Sequence, residues 1–225
     1  MFGDSFPLYR NSGGQFDDVT SGAAVTAATN RLTAWGNGIF DFDNDGWKDL
    51  FTANGAILDN SEEIDNLPYK IRNSLLRNSG NGKFVDLSAQ VFNNTAAHRG
   101  AAFGDLDNDG RIDIVTNNLN DKPEILMNRS TAGHHWLMLN LIGTHSNRDG
   151  LAARIKVTTA NGKTVQYNQV TSSVGYASSS DKRAHFGLGP AKLWTNWKSS
   201  GHSSGAAQIL MKVKADQILT LKEPT

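Results

Sequence analysis

The stretch "DFDNDGWKD", Asp41 to Asp49, recurs as "DLDNDGRID", Asp105 to Asp113. Each copy places carboxylates at positions 1, 3, 5 and 9 and a glycine at position 6. Carboxylates this close repel one another, and a fold keeps them only where solvent or a bound cation offsets the repulsion. The spacing favours the cation. Alternate residues of a curled loop can turn their oxygens toward one centre, and Gly46 and Gly110 tolerate the positive φ of a sharp turn. Position 7, Trp47 or Arg111, can offer its backbone carbonyl. The ligand set so read is Asp41, Asp43, Asp45, Trp47 and Asp49 in one loop, and Asp105, Asp107, Asp109, Arg111 and Asp113 in the other. Calcium accepts about six to eight hard oxygens in irregular geometry, whereas magnesium wants a stricter octahedron and more waters. Two Ca2+ sites are expected. For one loop alone the competing reading is a solvated acidic turn, and the second copy in register counts against it.

The residues on the C-terminal side of each loop exclude an EF-hand. Position 12 is Thr52 or Thr116 in place of a bidentate glutamate, and "LFTAN" and "IVTNN" have strand character with no helical period. The loops therefore join β-strands, and they belong to a longer repeat. "GNGIFDFDNDGWKDLFTAN" from Gly36 aligns with "GAAFGDLDNDGRIDIVTNN" from Gly100, an offset of 64 residues. "LYRNSGGQFDDVT" from Leu8 matches "LLRNSGNGKFVDLS" from Leu75, with a shorter echo in "ILMNRS" from Ile125. Each unit reads as about four short strands, the content of a propeller blade. The polar connection containing Pro68 reads as a loop on one face. Two to three blades fall short of a closed ring, so the chain is expected to be the C-terminal piece of a longer protein. Unpaired sheet edges would leave it prone to self-association.

The texture changes near residue 130. "HHWLMLNLIG", "ARIKVTTANGKTVQYNQV" and "ADQILTLKE" are apolar or alternating strand patterns, and "ANGK" signals a hairpin turn. The expected organisation is all-β. A partial propeller over 1–130 precedes a separate β-sandwich or small barrel over 131–225.

Composition narrows the partners. With 22 basic and 22 acidic residues, the chain has no overall attraction for nucleic acid or anionic membrane. No apolar run is long enough to span a bilayer. Cysteine is absent, which removes disulfides, thiolate-bound zinc and a cysteine nucleophile.

The segment "FGDLDNDGRIDIVTNN" resembles the FG-GAP/VCBS repeats of integrin-α-like propellers. "HWLMLNLIGTHSNRDGLAARIKVTTANGK", with "VGYASSSDKRAHFGLG", resembles the ASPIC/UnbV domain that follows such repeats in secreted proteins similar to cartilage acidic protein. The resemblance implies a secreted, calcium-binding propeller with an adhesion role. A protein or carbohydrate ligand would bind on its loop face. It supplies no chemistry for the UnbV-like part, and no enzyme activity is expected. The other reading is an accessory segment of a secreted enzyme whose catalytic domain lies upstream.

The remaining signals are weaker. "GHSSG", Gly201 to Gly205, matches a nucleophile-elbow pattern with Ser203 at its centre, but no helix is expected after it. His134 and His135 are adjacent, so on a strand they face opposite ways. His98, His145 and His185 show no evident partner. Arg148 and Asp149 of "SNRDG" are expected to pair across a turn, a ligand contact being the other reading. Trp35 and Trp47 flank the first loop and suggest packing between blades. Asn93 and Asn128 begin glycosylation sequons that matter only in a eukaryotic secretory setting. "LWTNWKSSGHSSGAAQ", from Leu193, stands where the resembled family has a strand like "L-E-V-x-W-P-S-G", and is too polar for a buried one. Back-translated and shifted by one nucleotide, Trp194 to His202 reads V-D-K-L-E-V-I-W-P. A local frameshift is therefore expected, leaving the last domain one native strand short.

Overall fold

The computed structural model describes residues 5–159, 164–200 and 207–223. Strands dominate, and the three helices among the described residues are single turns: α1 (Val25–Thr29), α2 (Ser61–Asp65) and α3 (Ser88–Val91). α2 lies in the polar connection read as loop. Glycines and Asx residues limit strand length here, since turns recur before any helical period can establish itself.

The N-terminal half consists of antiparallel meanders. β1 (Tyr9–Ser12) and β2 (Gln15–Asp18) form a hairpin. β3 (Ala34–Phe40), β4 (Asp49–Asn54), β5 (Ser74–Asn78) and β6 (Phe84–Asp86) follow in sequence order as a four-stranded sheet. β7 (His98–Gly104), β8 (Asp113–Asn118) and β9 (Glu124–Leu126) repeat its first three strands. The repeat seen in the sequence is thus a repeat of sheets, and each Asp loop is the turn of an equivalent hairpin, β3–β4 or β7–β8. Close approach sets their packing. A Cβ on Gly36 would lie 2.4 Å from the Ala101 amide nitrogen, so only glycine lets β3 lie against β7. Phe51 and Phe103 meet edge to face between the sheets, with ring centroids 5.7 Å apart.

The C-terminal half holds two sheets. β10 (His135–Ile142) lies between β13 (Ala184–Gly189), antiparallel, and β17 (Gln217–Lys222), parallel. The second sheet runs β12 (Val165–Gln169), β11 (Arg154–Thr159), β14 (Leu193–Ser200), β15 (Ala207–Leu210), with β16 (Val213–Lys214) also on β14. Leu137, Leu139 and Leu141 of β10, Ile155 and Val157 of β11, and Phe186 and Leu188 of β13 form one core between the sheets. Alternation sends Met138 of β10 the other way, into the cluster of Phe42, Phe51, Phe103 and Ile114. β10 is buried on both faces at its centre, residues 137–139, which explains the apolar run from 136 to 139.

Two expectations change. The stretch read as too polar for a buried strand, and as leaving the domain one strand short, has strand backbone from Leu193 to Ser200, paired with both β11 and β15. Its place follows from the backbone ladder, since pairing satisfies the N–H and C=O groups along the edge of β11. Asp149 pairs with Lys182, not Arg148. The "SNRDG" turn is closed by Asn147 Oδ1, which accepts from the amides of Asp149 (3.0 Å) and Leu151 (3.3 Å). The "ANGK" turn, Ala160 to Lys163, and "GHSSG" with Ser203 lie outside the described residues. No helix among the described residues is long and apolar enough to cross a membrane.

Candidate metal centre

The two Asp loops are wired alike. The carboxylate at position 1 curls the chain around itself. Asp41 Oδ1 accepts from the Asp45 amide (3.0 Å) and Oδ2 from Gly46 (2.8 Å). Asp105 does the same with Asp109 (3.0 Å) and Gly110 (2.8 Å). The turn requires left-handed backbone at position 6, with φ of 97° at Gly46 and 83° at Gly110. Position 5 steadies position 7: Asp45 Oδ1 takes the Trp47 amide (2.8 Å), and Asp109 Oδ1 the Arg111 amide (3.0 Å).

The carboxylate at position 9 ties the loop to the next strand. Asp49 accepts from Phe42 (2.9 Å) and from the Asn78 amide (2.8 Å). Asp113 accepts from Leu106 (2.9 Å) and from Asn128 (2.7 Å). Asn78 and Asn128 end the recurring "L-x-R-N" and "ILMN" segments, so the second sequence repeat exists to brace the first. The Asn128 side chain also bridges, donating to the Phe42 (2.7 Å) and Ile112 (3.2 Å) carbonyls.

Among the described residues, Asp41, Asp43 and Asp49 each bring a carboxylate oxygen within 4.8 Å of the others, as do Asp105, Asp107 and Asp109. Asp45 and Asp113 fall outside these triads, although both belong to the loops. Trp47 and Arg111 occupy the equivalent turn positions.

The carboxylates at positions 1 and 9 are buried in both loops: Asp41 is 5% and Asp49 1% exposed, Asp105 2% and Asp113 1%. Burial, with repulsion from the neighbouring carboxylates, pushes Asp41 up to about 8 and Asp49 up to about 7. Asp45 and Asp105 also rise, chiefly through burial. Asp107 is instead lowered by its hydrogen bond to Arg129. Asn44 Oδ1 is enclosed without a hydrogen-bond donor, one of three such side-chain oxygens among the described residues. A hard dication suits this donor set of carboxylates, fixed by backbone amides and too buried to ionise easily without one.

The loops also seat the C-terminal half. Gly189 donates its amide to the Asn44 carbonyl (2.8 Å), and Asn44 Nδ2 donates to the Gly110 carbonyl (3.0 Å), which also meets His185 Nε2 (3.2 Å). A Cβ on Gly187 would lie 1.9 Å from Asp41 Oδ2, and one on Gly110 1.9 Å from the Trp136 ring. Arg183 donates to Asn108 Oδ1 and to the Asp105 carbonyl, both at 2.7 Å. His134 Nδ1 lies 2.9 Å from the Asp43 carbonyl, while His135 turns away to Asp216 (2.7 Å).

Sequence reasoning missed His185, Arg183 and Gly187. The signal was there in "KRAHFGLG", where glycines interrupt a strand at 187 and 189, a mark of close backbone approach. His98, read as unpartnered, is buried against the Asn54 and Ile71 carbonyls (3.0 and 3.1 Å) and Glu124 (3.1 Å). His185 likewise has a partner. Trp35 packs against Tyr176 of the C-terminal half, 5.0 Å between centroids, under the Arg99 guanidinium.

The family model of the FG-GAP-like repeat matches residues 41–116, a span that opens on the first loop's leading carboxylate and takes in the second loop. That of ASPIC and UnbV matches residues 143–225. Comparison with curated proteins gives no match.

Proposed function

From a chain that carries an FG-GAP-like repeat and a C-terminal ASPIC/UnbV domain, we propose a calcium-stabilised binding module of a secreted protein, without catalytic activity of its own. The two matched segments fit an extracellular repeat or ligand-binding module. FG-GAP repeats bind Ca2+ and are typical of extracellular proteins. The observation that carries the reading is the convergence of Asp41, Asp43 and Asp49, and of Asp105, Asp107 and Asp109, on loops that already spend their amides orienting those carboxylates. In this reading calcium holds each loop closed, and the closed loops seat the C-terminal domain. Trp47 and Arg111 would add backbone carbonyls. Recognition of a protein or carbohydrate ligand takes place on the loop face, where Trp47 is 53% exposed.

Equilibrium dialysis of the full chain against calcium, followed by metal analysis, tests the reading. Binding near millimolar calcium is expected, since extracellular modules have dissociation constants of about 0.1–1 mM. Asp43→Ala should reduce the bound metal, and absence of bound calcium in the parent chain overturns the proposal.

A further inference from the structure

The two loops have the same carboxylate spacing but different surroundings. In the second loop Arg129 reaches Asp107 Oδ2 (2.9 Å) and Asp109 Oδ2 (3.4 Å), and Arg111 is paired with Asp109. The outer carboxylates there are already facing guanidinium groups of the chain itself. The first loop has no such ion pair, and its nearby cations, Lys48, Arg77 and His134, act on Asp41 and Asp45 only at longer range. Among the described residues no lysine, arginine or histidine forms an ion pair with Asp41, Asp43, Asp45 or Asp49. His134 meets the Asp43 backbone carbonyl, not its carboxylate.

The difference lies in single positions. Position 7 is Trp47 in one loop and Arg111 in the other, so only the second carries a cation there. After the bracing asparagine come Ser79 and Arg129. Arg111 is additionally anchored, its Nε donating to the Asn128 carbonyl (3.0 Å).

Resting on the calcium reading, we propose that Arg129 and Arg111 are resident cations of the second loop, and that they make the first loop the tighter calcium site. An incoming ion at the second loop must separate Asp107 and Asp109 from their guanidinium partners, and it meets a field already partly cancelled. At the first loop it has no paired side chain to displace from the four carboxylates. Partly exposed ion pairs are individually weak, so two of them make the second site roughly tenfold weaker rather than abolishing it. The chain therefore fills its loops in order, first loop first, as calcium rises.

Isothermal titration of the full chain with calcium chloride reads this directly. Two classes of site, separated by about tenfold, are expected. Asp43→Ala removes the tight class, which assigns it to the first loop. Arg129 is mostly exposed, so Arg129→Gln is compatible with the fold. It should tighten the weak class about three- to fivefold and leave the tight class unchanged. Arg129→Lys keeps the charge and should leave the weak class weak, an outcome that a purely steric role would not give. Two equal classes in the parent chain, or an Arg129→Gln titration that matches the parent, overturn the proposal while calcium binding itself stands. A titration with no calcium heat at either loop, agreeing with metal-free dialysis, removes the underlying reading and the proposal with it.

Discussion

Asp41 shows how one carboxylate serves structure and site together. Both its oxygens accept loop amides, its burial disfavours the charge, and Gly187 lies against Oδ2. A group whose folded pKa is raised stabilises the fold below its unfolded value, near 4, and that contribution is lost as pH rises through the folded value. For Asp41 and Asp49 the loss runs up to about 8 and about 7 when no cation is present. In the proposed reading, calcium replaces the proton. The gain in unfolding midpoint from calcium over metal-free buffer should therefore grow between about pH 5 and pH 8. His185, pushed down to about 4 by burial, costs stability in the opposite direction, as pH falls from about 6.5. It is present in both samples, so the difference isolates the carboxylates. A gain independent of pH would contradict the burial argument. Gly187→Ala tests the contact. Asp41 cannot swing away from a new methyl group without releasing two amides, so a loss of about 1–3 kcal/mol is expected in chemical denaturation. Gly22→Ala, with nothing nearer than 3.8 Å, should be close to neutral.

At the scale of the element, β14 is the strand whose sequence disagrees with its place. The register sets position 197 opposite Val157 and position 199 opposite Ile155, and both partners are buried in the core. The chain has Trp197 and Ser199 there, while the frame-shifted reading V-D-K-L-E-V-I-W-P supplies Leu and Val. Replacing Trp194 to His202 by that nine-residue string should raise the melting midpoint by about 5–10 °C, from added apolar burial. An unchanged or lower midpoint, together with codons incompatible with the shift, rules the frameshift out. The hairpins and their Asp loops were legible because charge spacing, a fixed glycine and period-2 strands speak without tertiary context. The bracing role of Asn78 and Asn128 was visible only as an unexplained repeat, since it runs through backbone amides that any residue but proline carries. Arg183 and His185 escaped for the same reason. Each contacts main-chain oxygens from a distant segment, and nothing in a side-chain pattern reports that.

Across the molecule, the repeat half and the C-terminal half share a core. Met138, Trp136, Val174 and Ile218 pack with Phe42, Phe103 and Ile114, and the Asp loops sit at this junction. Calcium lost from the loops should therefore loosen more than the loops. A first site at the tight end of the extracellular range and a second about tenfold weaker would together contribute about 2 kcal/mol at roughly millimolar calcium, a sizeable share of a domain's stability. The most direct test is the unfolding midpoint of the full chain in metal-free buffer, in about 1 mM calcium and in about 1 mM magnesium. The account predicts a rise of roughly 4–8 °C with calcium, a smaller rise with magnesium, and loss of most of the calcium effect in the Asp43→Ala, Asp107→Ala double variant. A midpoint that calcium leaves unmoved would mean that the paired Asp loops are solvated acidic turns.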